Sequence, residues 1–178
     1  GTLYVGELGA AQISVLVPVG GSGPTPPPGP TATPTQAPEG TWTTKAPMPV
    51  AILDAGGAEM NGNLYAVGGK ATGDIHQRTM YVYDATKNTW TQGPSLPNEY
   101  PAIENPAVIS YGGKLYVFGG STGPFSGAVT NAARFDPVTE SWTLLAPMQT
   151  GRGGPTAQVL NGKIYVIGGM DTNGSSLA

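Results

Sequence analysis

Apolar positions in this chain fall into short alternating runs that end in glycine or in a polar turn. The clearest runs are Leu64-Tyr-Ala-Val67, Leu115-Tyr-Val-Phe118 and Ile164-Tyr-Val-Ile167. Each follows a tight-turn pair (Asn61-Gly62, Gly112-Gly113, Asn161-Gly162) and each precedes a Gly-Gly pair. Asn-Gly before an apolar run signals a hairpin, because a type I′ turn needs positive φ at both central residues. The run before each turn is therefore a strand, A, and the run after it a second strand, B. Further along, Tyr83-Asp84 and Phe135-Asp136 open the polar turns Ala85-Thr-Lys-Asn88 and Pro137-Val-Thr-Glu140. An Asp side chain accepts hydrogen bonds from the backbone of such a turn. Strands C and D flank it.

The pattern repeats. Gly62, Gly112 and Gly162 are spaced by 50 residues, and Trp42, Trp90 and Trp142 by 48 and 52. Tyr83 and Phe135 each precede a Trp by seven residues, and Pro47, Pro94 or Pro147 follows each Trp by four or five. Four antiparallel strands at a period near 50 are the mark of a propeller blade. A turn, an apolar strand, Gly-Gly, an aromatic-Asp pair and Trp, in that order, resemble the kelch repeat over residues 41–178. The resemblance implies an all-β fold, a kelch-type β-propeller fragment of four-stranded antiparallel blades. Its D strand lies near 41–46, one blade over about 55–93, a second over about 105–146, and the start of a third over 155–178. Kelch blades often carry Arg near the start of strand A. Arg152 fits that place, Ile52 holds it in the first copy, and the middle copy has a longer acidic insertion. The Asp box of the sialidases is not matched: Asp84 to Trp90 and Asp136 to Trp142 are six apart, not five, with no Gly between.

The landmarks are expected to be structural. Trp42, Trp90, Trp142, Tyr83 and Phe135 should pack between blades, where large aromatics bury most area. Asp84 and Asp136 should hold the C–D turns. Gly68-Gly69, Gly119-Gly120 and Gly168-Gly169 should allow close backbone approach where strand B leaves the sheet. A phosphate-binding role for Gly-Gly is excluded because no helix follows to supply a dipole.

The first forty residues read differently. Thr2–Val5 and Gln12–Val19 look like strands, with Ile13, Val15, Val17 and Val19 on one face. Two strands cannot form a domain alone. Residues 1–19 are therefore read as the C-terminal strands of a truncated β-sandwich, similar to the end of a bacterial surface Ig-like module. Residues 20–40 hold seven prolines among Thr, Gly and Ser. They read as a disordered, PPII-like spacer between modules, with a Pro-rich ligand for SH3-type domains as the alternative. Thr25, Thr31, Thr33 and Thr35 are candidate O-glycan acceptors. In this reading Trp42 lies in a D strand with no A, B or C before it, a velcro strand that completes the last blade of a closed ring. The expected partners are then the remaining blades of a longer chain, or further copies of this one, since open strand edges pair with neighbours.

Composition narrows function. The 178 residues hold 8 Lys+Arg against 11 Asp+Glu, for a net charge of −3 and a pI near 4.9. No nucleic acid is expected, because phosphates call for a basic stripe. No Cys and one His exclude disulfides, a Cys nucleophile and thiolate or His-rich metal sites. No apolar run is long enough to insert in a membrane. Gly (28) and Pro (18) make up about a quarter of the chain, and the period organises the glycines.

Strand direction places the loops. A–B and C–D turns share one end of a blade and are short. B–C and D–A connections share the other end and are long, and long loops on a rigid scaffold are where ligands bind. The candidate face comprises Asp74, His76 and Arg78 in the first B–C loop, Glu99, Tyr100 and Glu104 in the middle D–A loop, Phe125 in the second B–C loop, and Arg152. Glu99 and Glu104 read as an acid/base pair or as plain surface charge. Tyr100 and Phe125 read as sugar-stacking rings or as inter-blade packing. Arg152 reads as a ligand-binding group or as a structural donor to a loop carbonyl. His76 has no clustered second metal ligand, so no metal and no cofactor are expected. The favoured reading is an extracellular or cell-surface binding module whose ligand is a protein or a glycan. The kelch resemblance also admits an enzyme, similar to sialic-acid mutarotases through Glu99, Glu104 and Arg152. Similarity to galactose oxidase is weaker, since that site needs a Cys-linked Tyr. A structural spacer is the third reading. Asn173-Gly-Ser175 is an N-glycosylation sequon.

Overall fold

A computed structural model describes residues 3–6, 13–17, 41–123 and 126–177. The chain divides into two units, residues 1–47 and 48–178. In the first, β1 (Leu3–Gly6), β2 (Ile13–Val17) and β3 (Thr41–Thr44) form an antiparallel sheet in the order β1-β2-β3. The strand of Trp42 therefore does not lack strands before it, contrary to expectation. Trp42 itself is 50% exposed.

The second unit holds β4 (Ile52–Leu53), β5 (Gly56–Met60), β6 (Asn63–Val67), β7 (Lys70–Ala71), β8 (Ile75–His76), β9 (Met80–Asp84) and β10 (Thr89–Gly93). After these come β11 (Ala107–Tyr111), β12 (Lys114–Phe118), β13 (Ser121–Gly123), β14 (Ser126–Ala128), β15 (Ala132–Asp136) and β16 (Ser141–Leu144). β17 (Thr156–Leu160) and β18 (Lys163–Ile167) are the last strands described. Strands β5-β6-β9-β10 and β11-β12-β15-β16 form two four-stranded antiparallel sheets, and β17-β18 a pair. The all-β, four-stranded-blade architecture expected from the period is what forms.

Local chemistry explains the register. Asn61 (φ 54°) and Gly62 (φ 80°) close the Met60–Asn63 pair; Gly112 (58°) and Gly113 (71°) close Tyr111–Lys114. Asn161 (50°) and Gly162 (73°) close Leu160–Lys163 in the same way. These are the positive φ values a two-residue hairpin needs. In the C–D turns, Asp84 Oδ1 accepts from the Thr86 and Lys87 amides at 2.9 and 3.1 Å, and Asp136 Oδ1 from the Val138 amide at 3.0 Å. The Lys87 ammonium and the turn donors hold the Asp84 carboxyl well below the usual carboxylate range. Lys114, with help from the turn amides, lowers the Asp136 carboxyl from its ordinary value.

The core lies between the two complete blades. Val67, Met80, Ile103, Leu115, Val117 and Phe135 are buried there. Burying one such side chain contributes about 1.5–3 kcal/mol. Tyr83 and Phe135 are buried as expected, while Trp90 and Trp142 lie half-buried against them at ring separations of 5.2 Å. The strand-C aromatic thus fills the core, and the Trp covers it. Trp142 Nε1 also donates to Pro94 O at 2.8 Å, tying one blade to the next.

The Gly-Gly pairs stitch consecutive blades. Gly69 N donates to Ile103 O at 2.8 Å, and Gly120 N to Arg152 O at 2.9 Å. A Cβ on Gly69 would stand 2.6 Å from Leu53 O, and one on Gly120 2.9 Å from Glu104 O. A second row runs beside it: Asn105 N donates to Asp54 O (2.7 Å) and Gly154 N to Asn105 O (3.0 Å). This equivalence puts Ile52, Ile103 and Arg152 in one phase, so the extra residues of the middle copy fall before Ile103.

Candidate functional site

The first B–C connection is a hairpin rather than an irregular loop. β7 pairs with β8 (Lys70↔His76, Ala71↔Ile75), and Gly73 (φ 84°) and Asp74 (φ 59°) supply the reversal. β4 adds to the β7 edge through Ile52↔Ala71. On the other side, Gln77 bridges Ile103 from the next D–A segment. D–A segments of two blades therefore clamp one B–C hairpin, and this clamp builds the site.

Lys70 and His76 are cross-strand partners, so their side chains share a face. Glu104 enters from the next segment, fixed by paired backbone bonds with Ser121 at 2.9 Å each way. Its side chain is 1% exposed. Lys70 Nζ stands 3.2 Å from Glu104 Oε2 and 3.3 Å from Asp74 Oδ1. His76 Nε2 stands 3.7 Å from the same Oε2. Neither Oε2 nor His76 Nε2 has a hydrogen-bond partner, so the Lys70–Glu104 contact is an ion pair set off the line of a hydrogen bond. The Glu104 carboxylate first, and Asp74 second, raise the Lys70 ammonium above its ordinary range. Taking a carboxylate out of water costs several kcal/mol unless a cation compensates it, and Lys70 is that cation.

Of the predicted face, the structure thus brings together Asp74, His76 and Glu104. Asp74 is open to solvent, at 87% side-chain exposure, whereas Glu104 is shut in and anchors Lys70 rather than meeting solvent. Lys70 itself was not singled out from the sequence. Its signal is the cross-strand pairing with His76, which is invisible while the segment is read as a loop.

The other predicted residues are placed elsewhere. Tyr100 is fully buried, and its hydroxyl lies 2.9 Å from Gly119 O and 3.0 Å from Asn131 O. Burial pushes its phenol far above the ordinary value. It is an inter-blade strut and cannot stack on a sugar. Glu99 is exposed, with its carbonyl accepting from Asn131 Nδ2 at 3.2 Å, while the Glu104 carboxylate is taken by Lys70. The two do not form an acid/base pair. Arg152 Nη1 donates to Gly168 O at 2.6 Å, the structural alternative for that residue. Arg78 is half-buried, and its carbonyl accepts from Leu96 N at 2.8 Å. Phe125 lies outside the described residues. Among the described residues, no group of three or more His, Asp or Glu could hold a metal ion, and no helix is long and apolar enough to cross a membrane.

Comparison with known proteins adds three findings. The family model KLHDC2/KLHL20/DRC7 Kelch-repeats domain matches residues 36–176. Kelch-like protein 15 of Danio rerio is 33% identical over 153 residues, covering 76% of this chain and 25% of that protein. Kelch-like protein 23 of Homo sapiens is 35% identical over 131 residues, covering 72% and 22%. The chain therefore spans about a quarter of the length of these relatives. The solved structure of YjhT shares the fold, with a TM-score of 0.70 at 20% identity over 95% of this chain and 54% of the other.

Proposed function

The chain belongs to the kelch-repeat family, and from that premise we propose that it is a binding module on an extracellular or cell-surface protein. Its ligand, a protein or a glycan, sits on the end of the blades that carries the long B–C and D–A loops. The observation that carries the reading is the clamped hairpin bearing Lys70, Asp74 and His76 over the buried Glu104. A buried carboxylate that orients a cation next to an exposed carboxylate presents fixed charges of both signs, which suits a polar ligand. Protein partners come first, since positional charge patterns give specificity to protein interfaces. The Thr/Pro composition of residues 20–40 supports the extracellular setting. The enzyme reading draws no support from the site: Glu104 is committed to Lys70, Arg152 to a carbonyl, and Glu99 stands apart.

The test is to titrate the isotope-labelled chain with panels of peptides and oligosaccharides and map amide shift changes. The reading expects changes over residues 70–78 and 98–105. Saturable changes confined to the A–B and C–D turns, around Asn61, Thr86 and Val138, would overturn it. A ligand that fails to bind Asp74→Ala but still binds Thr86→Ala identifies the face.

A further inference from the structure

The three-stranded sheet of residues 3–44 repeats the register of the two complete blades. In the first blade, Leu64 of β6 faces Tyr83 of β9, which faces Trp90 of β10. In the second, Leu115 of β12 faces Phe135 of β15, which faces Trp142 of β16. In the N-terminal sheet, Leu3 of β1 faces Leu16 of β2, which faces Trp42 of β3. All three rows run Leu, large apolar residue, Trp across strands B, C and D. In each the Leu is followed by Tyr, and a Gly ends the strand or follows it: Leu3-Tyr4…Gly6, Leu64-Tyr65…Gly68, Leu115-Tyr116…Gly119. A strand slip of one residue would destroy such a match, because it reverses the face of every side chain. The likeness to YjhT agrees. It covers 95% of the chain, whereas residues 1–47 are about 26% of the 178, so it takes in part of this sheet.

We infer that β1, β2 and β3 are strands B, C and D of a kelch blade, so that the Pro/Thr-rich stretch falls between strands C and D in the chain. A single blade then stands where the sequence suggests a spacer between a β-sandwich tail and the propeller. The two complete blades span the corresponding turn with four residues, 85–88 and 137–140; here residues 18–40 span it. Long insertions in a surface turn are tolerated because closure entropy grows only with the logarithm of length. In a blade the C–D turn lies at the opposite end from the B–C loop.

Hydrogen exchange on the full chain tests this. The β3 amides that bond to β2, alternate ones of Thr41–Thr44, should be protected, and should stay protected when residues 18–40 are replaced by the four-residue turn Pro-Val-Thr-Glu. Leu16→Pro, which removes a backbone donor from β2, should lower β3 protection at least tenfold and leave β6, β9 and β12 unchanged. Unprotected β3 amides in the full chain would overturn the inference. So would protection that ignores Leu16→Pro, or loss of protection on shortening to four residues, since the blade needs only a short connection between strands C and D.

Discussion

Gly119 and Gly168 occupy the same place in consecutive repeats, the first glycine of the pair that ends strand B. Their φ values are 63° and 66°. They differ in what lies behind them. A Cβ on Gly119 would stand 2.2 Å from Arg152 O and 3.3 Å from Met148 Cε, whereas a Cβ on Gly168 meets nothing within 4 Å. Gly→Ala at Gly168 therefore costs only the left-handed conformation, about 1–2 kcal/mol. The same change at Gly119 adds the displacement of a backbone carbonyl, about 1–3 kcal/mol on the scale of overpacked cores. It also strains the bond that Arg152 O accepts from Gly120 N, worth about 1 kcal/mol. Gly119→Ala should thus destabilise by about 2–4 kcal/mol more than Gly168→Ala. Urea unfolding followed by Trp fluorescence reads the difference, with an unchanged slope confirming the same transition. Equal losses within about 0.5 kcal/mol would refute the idea that the pair exists for blade-to-blade approach, and would leave turn conformation as its whole role.

Other consequences follow from named contacts. Lys70→Met leaves the Glu104 carboxylate buried beside a single imidazole, so it should lower the melting temperature more than Glu104→Gln, which removes the charge that needs pairing. The reverse order by differential scanning calorimetry would exclude Lys70 as the compensating cation. Tyr100→Phe removes the one hydroxyl proton that Gly119 O and Asn131 O share, while Asn131 O keeps its bond from Gly119 N, and should cost about 1–3 kcal/mol in chemical denaturation. Because Tyr100 is buried, it should leave ligand affinity unchanged; a selective loss of binding would return it to the ligand face. The lowered carboxyls of Asp84 and Asp136 contribute stability that is full above their ordinary value of 3.8 and is lost as pH falls through their folded values. Urea midpoints should therefore decline below pH 4, and Asp84→Asn should flatten that decline. An unchanged acid limb in the variant would show that Asp84 does not hold its turn.

Much of the fold was legible because its signals are local. Asn61-Gly62 and Asn161-Gly162 specify turns through φ alone, and the aromatic-to-Trp spacing of seven closes each C–D hairpin in register. The candidate site was legible only in part. Asp74, His76 and Glu104 were named from loop position and charge, and they do converge. Lys70, which binds two of them into one cluster, was missed because the short β7–β8 hairpin carries no apolar alternation. Its pairing depends on β4 and Ile103 supplying strand edges from elsewhere. Tyr100 and Arg152 carried two readings each, and burial and a carbonyl acceptor decided between them.

Periodicity and turn chemistry settle the repeat and the strand order, since each depends on residues close in the chain. Which polar side chains face solvent and which are locked in the stitch between blades depends on the approach of segments about 30 to 50 residues apart. Glu104 is the instance: on the sequence it is one of two acids in a loop, and only the docking of the next segment against the β7–β8 hairpin makes it a buried anchor for Lys70. The burial that raises the cost of an unpaired charge is a property of packed blades, so its pairing could be read only there.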